Sequence, residues 1–368
     1  MKIVIALIVF GVIIVIHELG HFLLAKKNGI GVTEFSIGMG PRIITVVKTA
    51  QGMSVKFFAK MDDCLNRSDW AGRTKYSVKL LPLGGSCMMV GEDEDLQDEN
   101  AFNNKGVWAR ISVIFAGPFF NFILAFLFAL IVIGCVGYDR PAVYQLHEGL
   151  VQEGEALQKG DVITSIDNVK IHVSREVDLY YQFEKITEEP VEVTFERDGK
   201  KYEVTITPYQ TESGAYSIGF VTSYQRIKVG PLQTIQYSAY EVKFWISTTI
   251  KSLGQMIRGR VSRDDIAGPV GIVDMIGTTY NDSKSDGLYY VFLNLVNICI
   301  LLSANLGVMN LLPIPALDGG RLVFLFIEAV RGKPIDREKE GMVHLIGLVA
   351  LMILMVFMVF NDFSRIIG

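Results

Sequence analysis

Three ionisable side chains interrupt an apolar stretch near the start of the chain. Between residues 3 and 25 only His17, Glu18 and His21 can carry charge. Such groups are costly at membrane depth, so they need a compensating partner. Residues four apart share one face of a helix, so His17 and His21 can bind one metal ion while Glu18 reaches a water beside it. The alternative is a chance pattern with two hydrogen-bonded histidines.

Four apolar blocks are long enough, at about 20 residues each, to cross a bilayer. They cover residues 3–25, 111–136, 289–312 and 342–360. The first block begins like a signal peptide, but it is long, carries the His-Glu-His group and lacks a small-x-small cleavage site. We therefore expect it to be retained as a span.

Basic residues are concentrated after the first span and between the third and fourth. The positive-inside rule places both segments in the cytosol, and the N-terminus, segment 138–287 and C-terminus outside. His17 and His21 precede Lys26 by nine and five residues, which is about 13 and 8 Å along a helix. The metal-binding pair is therefore expected near the cytosolic face. The net charge of −4 gives no indication of a nucleic-acid partner.

A third metal ligand is expected near the end of the third span. Pro313 and Pro315 should break that helix, and Gly319-Gly320 should allow a tight turn. Irregular backbone at membrane depth is tolerated where it lines a cavity, which suits a carboxylate ligand at Asp318. The alternative is that Asp318 only caps a helix beginning near Gly320.

Cysteine is not expected to bind the metal or to form a structural disulfide. No Cys-x-x-Cys occurs, and the cysteines lie in spans or in the cytosolic segment. They are Cys64, Cys87, Cys135 and Cys299.

The His-Glu-Leu-Gly-His motif, paired with Asn-x-x-Pro-x-Pro-x-Leu-Asp-Gly in the third span, resembles the site-2 protease family of intramembrane zinc metalloproteases. The likeness is greatest to the bacterial group that cuts anti-sigma factors and signal-peptide remnants. Segments 34–41, 81–85, 116–122 and 267–272 resemble further family motifs. The resemblance implies Zn²⁺ bound by His17, His21 and Asp318, with Glu18 as the catalytic base.

Five residues beside these motifs are expected to contact substrate: Gly84, Gly85, Asn310, Pro313 and Pro315. Asn310 would orient a substrate carbonyl or a metal ligand. After Gly85 the chain has Ser-Cys-Met-Met where the family usually has aromatic-Val-Lys-Met. This departure bears on which substrate side chains are accepted and not on the chemistry.

Residues 138–222 resemble a PDZ domain. Alternating patterns at 191–197 and 201–207 flank an Asp-Gly-Lys turn and predict a hairpin, and Gly160-Asp161-Val162-Ile163 is similar to a PDZ core motif. The best-known proteobacterial relatives carry two such domains, and this chain has room for one. A PDZ domain captures a peptide by strand addition. A plug that keeps folded ectodomains from the active site is an equal and compatible alternative.

An amphipathic helix is predicted over residues 231–257, where apolar residues recur at steps of three and four. Such a helix lies on the outer membrane surface or packs against the spans. A linker role is the alternative.

The sequence thus predicts an α-helical polytopic membrane protein with four transmembrane helices, a cytosolic-side membrane-reentrant β segment and one extracytoplasmic PDZ domain. The four spans are expected within residues 1–27, 109–137, 289–319 and 342–368. Between them, the cytosolic segments are 28–108, with the β elements, and 320–341, and the outer segments are the PDZ domain at 138–222 and the amphipathic segment at 223–288. The expected location is a bacterial inner or plasma membrane.

The expected function is zinc-dependent cleavage of the transmembrane segments of single-pass proteins during regulated intramembrane proteolysis. An unwound substrate would pair with an edge strand from residues 31–90. One alternative is a PDZ scaffold that binds peptides without cutting them, in which Glu18 is dispensable. Another is a metal transporter, which needs polar residues in several spans, whereas the fourth span has essentially only His344.

Overall fold

The computed structural model describes residues 1–60, 67–92, 96–184, 186–212, 214–260 and 267–367. Cys64 lies outside these ranges, and Cys87, Cys135 and Cys299 are free thiols. The chain divides into two compact units. Unit 1 comprises Met1–Ala125 and Met256–Gly368, and unit 2 comprises Phe126–Gln255.

Helices make up most of unit 1, and unit 2 is rich in β strands. In chain order they are α1 (Lys2–Lys27), α2 (Val107–Val136), α3 (Ser174–Phe183), α4 (Pro231–Ile257), α5 (Pro269–Lys284), α6 (Leu288–Leu311), α7 (Asp318–Arg331) and α8 (Arg337–Ile367). By length and composition, α1, α2, α6 and most of α8 can each cross a membrane. The four predicted spans are confirmed as helices.

A three-stranded sheet precedes α2. The strands are β1 (Val32–Thr49), β2 (Gly52–Phe57) and β3 (Lys75–Met89), in the order β2-β1-β3. All three strands fall within residues 31–90, where the sequence predicts β structure.

Strand β3 pairs with β1 along both of its halves. Phe35 of β1 is opposite Tyr76 in the first half and Cys87 in the second. A bend at Gly84, where φ is 83°, separates the halves and needs the left-handed backbone that glycine adopts readily. Residues 85–89 therefore form a sheet edge that no other strand in the described chain covers.

Unit 2 contains the remaining strands. They are β4 (Tyr138–Asp139), β5 (Val143–Leu146), β6 (Val151–Gly154), β7 (Val162–Ile166), β8 (Val169–Lys170), β9 (Val191–Arg197), β10 (Lys200–Thr207), β11 (Tyr209–Gln210), β12 (Tyr216–Ser217), β13 (Phe220–Thr222) and β14 (Arg226–Ile227). The largest sheet has the order β6-β10-β9-β7-β8. The predicted hairpin is β9–β10; its turn residues Asp198 and Gly199 have φ of 50° and 76°, as a tight hairpin turn requires.

Helix α4 has the bounds predicted from the sequence, and a buried ion network ties it to the rest of unit 2. The Arg175 guanidinium donates to Asp139 over 3.1 Å and also to Glu241 of α4. Burial acts to lower the pKa of Arg175, but these two carboxylates outweigh it, so the pKa lies above its usual range. The apolar positions Leu232 and Ile257 are 80% and 87% exposed. The helix thus buries a mixed face that includes Glu241, Val242 and Phe244, and it leaves both ends of its apolar stripe exposed.

The far end of α8 is fixed by a buried carboxylate. Asp362 accepts hydrogen bonds from the backbone N–H groups of Gly268, at 2.9 Å, and Gly271, at 2.8 Å. These groups lie at the start of α5, where the helix dipole favours negative charge. A Cβ on Gly268 would lie 2.6 Å from Asp362 Oδ2, so glycine is needed for this approach. Both glycines belong to the 267–272 segment singled out in the sequence.

We expect Asp362→Asn to lower the free energy of unfolding by about 2 kcal/mol, because it replaces a charged acceptor facing two N–H groups. Thermal or denaturant unfolding in detergent measures the change. Asp282→Asn on the exposed face of α5 is the matched control and should have little effect. Equal stability of the two variants would contradict this role for Asp362.

Candidate metal centre and active site

The third span ends where the sequence predicts, and a short loop leads directly to Asp318. Helix α6 ends at Leu311, and α7 begins at Asp318, two residues before the expected start near Gly320. Leu317, not Asp318, is the capping residue, and no side chain caps the helix. The simple capping role considered for Asp318 is therefore not what its carboxylate does.

The Asp318 carboxylate meets the two histidines of α1. Asp318 Oδ2 lies 3.2 Å from His17 Nε2 and 3.5 Å from His21 Nε2. The two Nε2 atoms are 3.2 Å apart. Both histidines are buried, at 8% and 7% exposure. Two distant parts of the chain thus bring three ligand-type atoms together.

The geometry of this cluster fits zinc. Tetrahedral zinc with bonds of 2.0–2.2 Å holds its N and O ligand atoms about 3.3 to 3.6 Å apart, close to the separations observed here. Asp318 Oδ2 is buried and has no hydrogen-bond donor among the described residues. A bound cation would satisfy this atom and remove the cost of burying it.

Helix α2 orients both imidazole rings. His21 Nδ1 lies 2.9 Å from the backbone carbonyl oxygen of Val113, so Nδ1–H donates to it and Nε2 is left for the metal. His17 Nδ1 lies 3.2 Å from Asn121 Nδ2, while Asn121 Oδ1 is buried and has no hydrogen-bond partner within the described ranges. Exchanging the amide oxygen and nitrogen gives Nδ1–H an acceptor and leaves Nε2 for the metal.

Asn121 is a site residue that the sequence reasoning missed. It lies in the 116–122 segment, whose resemblance was noted without assigning a role to this side chain. Asn121 is completely buried, and its backbone carbonyl accepts a hydrogen bond from Ser303 Oγ of α6 at 2.8 Å. The signal in the sequence is an amide side chain within an apolar span, because such a group needs a specific hydrogen-bond partner there.

Close packing of α1 against α2 depends on two glycines. A Cβ on Gly117 of α2 would lie 2.3 Å from His21 Nε2 and 2.8 Å from His17 Cε1. A Cβ on Gly20 of α1 would lie 2.4 Å from the carbonyl oxygen of Ala116. Any larger side chain at Gly117 would enter the space that the two rings occupy.

Glu18 faces the edge formed by residues 85–89. A Cβ on Gly85 would lie 3.0 Å from Glu18 Cγ. The backbone N–H of Cys87 is close enough to interact with the Glu18 carboxylate. Burial, and next the nearby Glu18 charge, raise the pKa of the Cys87 thiol to about 12, so it stays protonated at neutral pH.

The other predicted substrate residues lie in different settings. Gly84 packs against Met39, Pro313 is exposed and Asn310 is half-buried. Pro315 packs against the backbone of α8 at Gly347. Substrate contacts for these residues stay predictions.

The expected role of Gly319-Gly320 in a tight turn is wrong, because both residues belong to α7. A Cβ on Gly319 would lie 2.1 Å from the carbonyl oxygen of Leu312, and one on Gly320 would lie 2.5 Å from that of Ile314. The glycines instead let the helix approach the loop closely. The turn itself falls on Ala316, whose φ is 73°.

We expect Gly117→Ala to weaken zinc binding at least about 10-fold, because the new methyl group displaces the histidine rings. Competition with a chelating dye on purified protein measures the affinity. Gly134→Ala is a matched control on the same helix, since the nearest atom to its Cβ would be 3.9 Å away. The same zinc affinity in both variants would refute the proposed fit between Gly117 and the rings.

Comparison with known proteins identifies the family. Residues 5–59 and 45–354 match the profile of peptidase family M50. A Clostridium acetobutylicum protein whose name includes "zinc metalloprotease" is 36% identical over 94% of this chain and 92% of its own length. The zinc metalloprotease RasP of Bacillus licheniformis is 31% identical over 98% of both chains. The regulator of sigma-W protease RasP of Bacillus subtilis is also 31% identical, over 98% of this chain and 97% of its own. The chain thus belongs to peptidase family M50, the site-2 proteases, and is a membrane-embedded zinc metalloprotease.

Proposed function

We propose that this enzyme cleaves transmembrane segments of single-pass membrane proteins, with Glu18 as catalytic base and His17, His21 and Asp318 as zinc ligands. The observation that carries the proposal is the convergence of these three ligand atoms between membrane-spanning helices. All lie within 4.8 Å of one another. Soluble substrates would not need a reactive centre in such surroundings.

Zinc bound here supplies a Lewis acid for the scissile carbonyl and for the attacking water. The chain's own residues do the rest of the chemistry. Val113 and Asn121 hold the His21 and His17 rings with their Nε2 atoms toward the centre. Glu18 follows His17 on the same helix, so its carboxylate can take the proton of the water and return it to the leaving amine.

Substrate must unwind before it can be cut, because a helix keeps its backbone carbonyls hydrogen-bonded and crowded by side chains. The uncovered edge at residues 85–89 offers new partners for that backbone. This edge touches Glu18 through Gly85, so a strand added there would pass beside the base. Met88, at 47% exposure, is one side chain available to contact it. These features support the expected pairing of substrate with an edge strand.

The substrate class is proposed from the family and the topology. The Bacillus subtilis relative is named as a regulator of sigma-W protease, which favours a membrane-bound regulator such as an anti-sigma factor as substrate. Signal-peptide remnants are short apolar helices and suit the same site. By the positive-inside rule, the active site lies near the cytosolic face and unit 2 lies outside.

Residues 138–222 of unit 2 are proposed to form the single PDZ domain. Its five-stranded antiparallel sheet and helix α3 are consistent with that fold. A groove runs between α3 and β13, lined by Val177, Tyr181 and Val221 among others. The Tyr181 hydroxyl donates to the carbonyl oxygen of Phe220 at 3.0 Å, so a peptide strand added at this backbone would have to displace Tyr181. Peptide capture and exclusion of folded ectodomains both remain compatible with this arrangement.

We expect Glu18→Gln to lower the cleavage rate by at least about 100-fold, because general base catalysis is lost while the ligands remain. Purified protein in detergent would be incubated with fluorescently tagged single-span helices, and products would be mapped by mass spectrometry. Zinc content should match that of the wild type.

A chelator should stop cleavage by the wild type, and added zinc should restore it. Full activity of Glu18→Gln would overturn the assigned base. Failure of the wild type to cut any helix while binding zinc stoichiometrically would favour a non-cutting scaffold or an enzyme that needs an activator.

The proposed orientation predicts which residues react outside the cell. In a background without the four native cysteines, Lys200→Cys in unit 2 should react with an impermeant maleimide in intact cells or spheroplasts. Lys333→Cys between α7 and α8 should react only after permeabilisation. Both positions are exposed. The reverse labelling pattern would contradict the orientation.

A further inference from the structure

Helix α8 touches the rest of unit 1 along a narrow line. Most of its side chains are exposed, as expected of a helix facing lipid, and only Gly347 and Asp362 are buried among those described. Asp362 accounts for the contact at one end. At the other end, α8 contacts the loop that leads to Asp318.

His344 of α8 is hydrogen-bonded to this loop. The backbone N–H of Ala316 donates to His344 Nδ1 at 2.9 Å. Ala316 precedes Asp318 by two residues and has a left-handed φ of 73°. A non-glycine residue in this conformation costs about 1 kcal/mol or more, so contacts must hold it there. The histidine supplies one such contact where the loop is strained.

A second contact from the same helix face supports the first. Gly347 lies three residues after His344, and a Cβ there would be 2.4 Å from Pro315 Cβ and 2.7 Å from the Pro315 carbonyl oxygen. The backbone of α8 therefore packs directly against Pro315, the residue before Ala316. The His344 ring also packs against Phe324 of α7, with centroids 5.5 Å apart.

The role of His344 as acceptor fixes its proton. Because Nδ1 accepts from Ala316, the neutral ring carries its hydrogen on Nε2. Glu340 Oε1 lies 3.8 Å from Nε2, one turn earlier on α8, and Arg321 lines the same cavity. Nε2 has no hydrogen-bond partner among the described residues, so the bond from Ala316 to Nδ1 is the one that orients the ring toward the loop.

We infer that His344 is a positioning residue for the metal centre: its bond to Ala316 holds the loop 312–317 in the shape that delivers Asp318 to His17 and His21. The inference rests on the proposed role of Asp318 as third ligand. Losing the bond frees the strained residue two positions before the ligand. The carboxylate then no longer stays within 3.2 and 3.5 Å of the two imidazoles.

The test compares His344→Leu with His344→Asn in the full-length protein in detergent. Leucine fills similar space without an acceptor, whereas the asparagine Oδ1 sits near the position of histidine Nδ1. We expect His344→Leu to weaken zinc binding about 10-fold or more and to lower kcat with little change in KM. His344→Asn should recover both to within about threefold of the wild type.

Two further variants separate this effect from general damage. Glu340→Gln alters the neighbour on the other side of the ring and should bind zinc like the wild type. Asp362→Asn loosens the far end of α8 and should lower stability without changing zinc affinity. Wild-type zinc binding by His344→Leu, or equal loss in the leucine and asparagine variants, would overturn the inference. If His344→Leu does not fold, recovery by His344→Asn in contrast to His344→Ala decides the same question.

Asp318→Asn separates failure of this inference from failure of the proposed ligand set. If Asp318→Asn keeps wild-type zinc affinity, the ligand assignment itself is wrong. If Asp318→Asn loses zinc but His344→Leu does not, only the positioning role of His344 is wrong.

Discussion

The burial of three polar ligand groups among apolar helices is the interaction on which the rest of unit 1 depends. His17, His21 and Asp318 would be costly in this setting without a cation, because the buried Asp318 Oδ2 has no hydrogen-bond donor in the part of the chain that the structure describes. Bound zinc would offset the cost of burying these residues and would cross-link the first span to the loop after the third. The surrounding backbone must therefore be accurate enough to bring ligands separated by about 300 residues to one point.

That accuracy comes from close backbone packing at glycines and from buried hydrogen bonds. Gly117 allows the rings to lie against α2, while Val113 and Asn121 set their orientation. Gly319 and Gly320 let α7 start directly beneath the loop. Each contact uses a small residue or a buried hydrogen bond, which suits a membrane, where apolar burial alone gives helices little reason to associate.

Much of this arrangement could be predicted from the sequence because its signals are local. Apolar length located the four spans, helical spacing paired His17 with His21, and Pro313 marked the end of α6. The bounds of α4 followed from its apolar period. These features depend on residues that are close together in the chain.

The parts that could not be predicted depend on residues far apart in the sequence. Nothing near Asn121 indicates that its amide meets a histidine 104 positions away. The left-handed conformation at Ala316 is imposed by its surroundings, since alanine does not favour it. The two halves of β3 both pair with β1, which requires a bend within β3. The periodicity of the sequence does not show which strand each half pairs with.

The backbone of Cys87 borders two parts of the molecule at once. It belongs to the uncovered sheet edge, and its N–H is close enough to interact with the Glu18 carboxylate. A strand added at this edge would therefore lie against the same backbone group as the carboxylate next to the metal centre. Accurate placement of an extended chain and of Glu18 thus depends on one short stretch of β3.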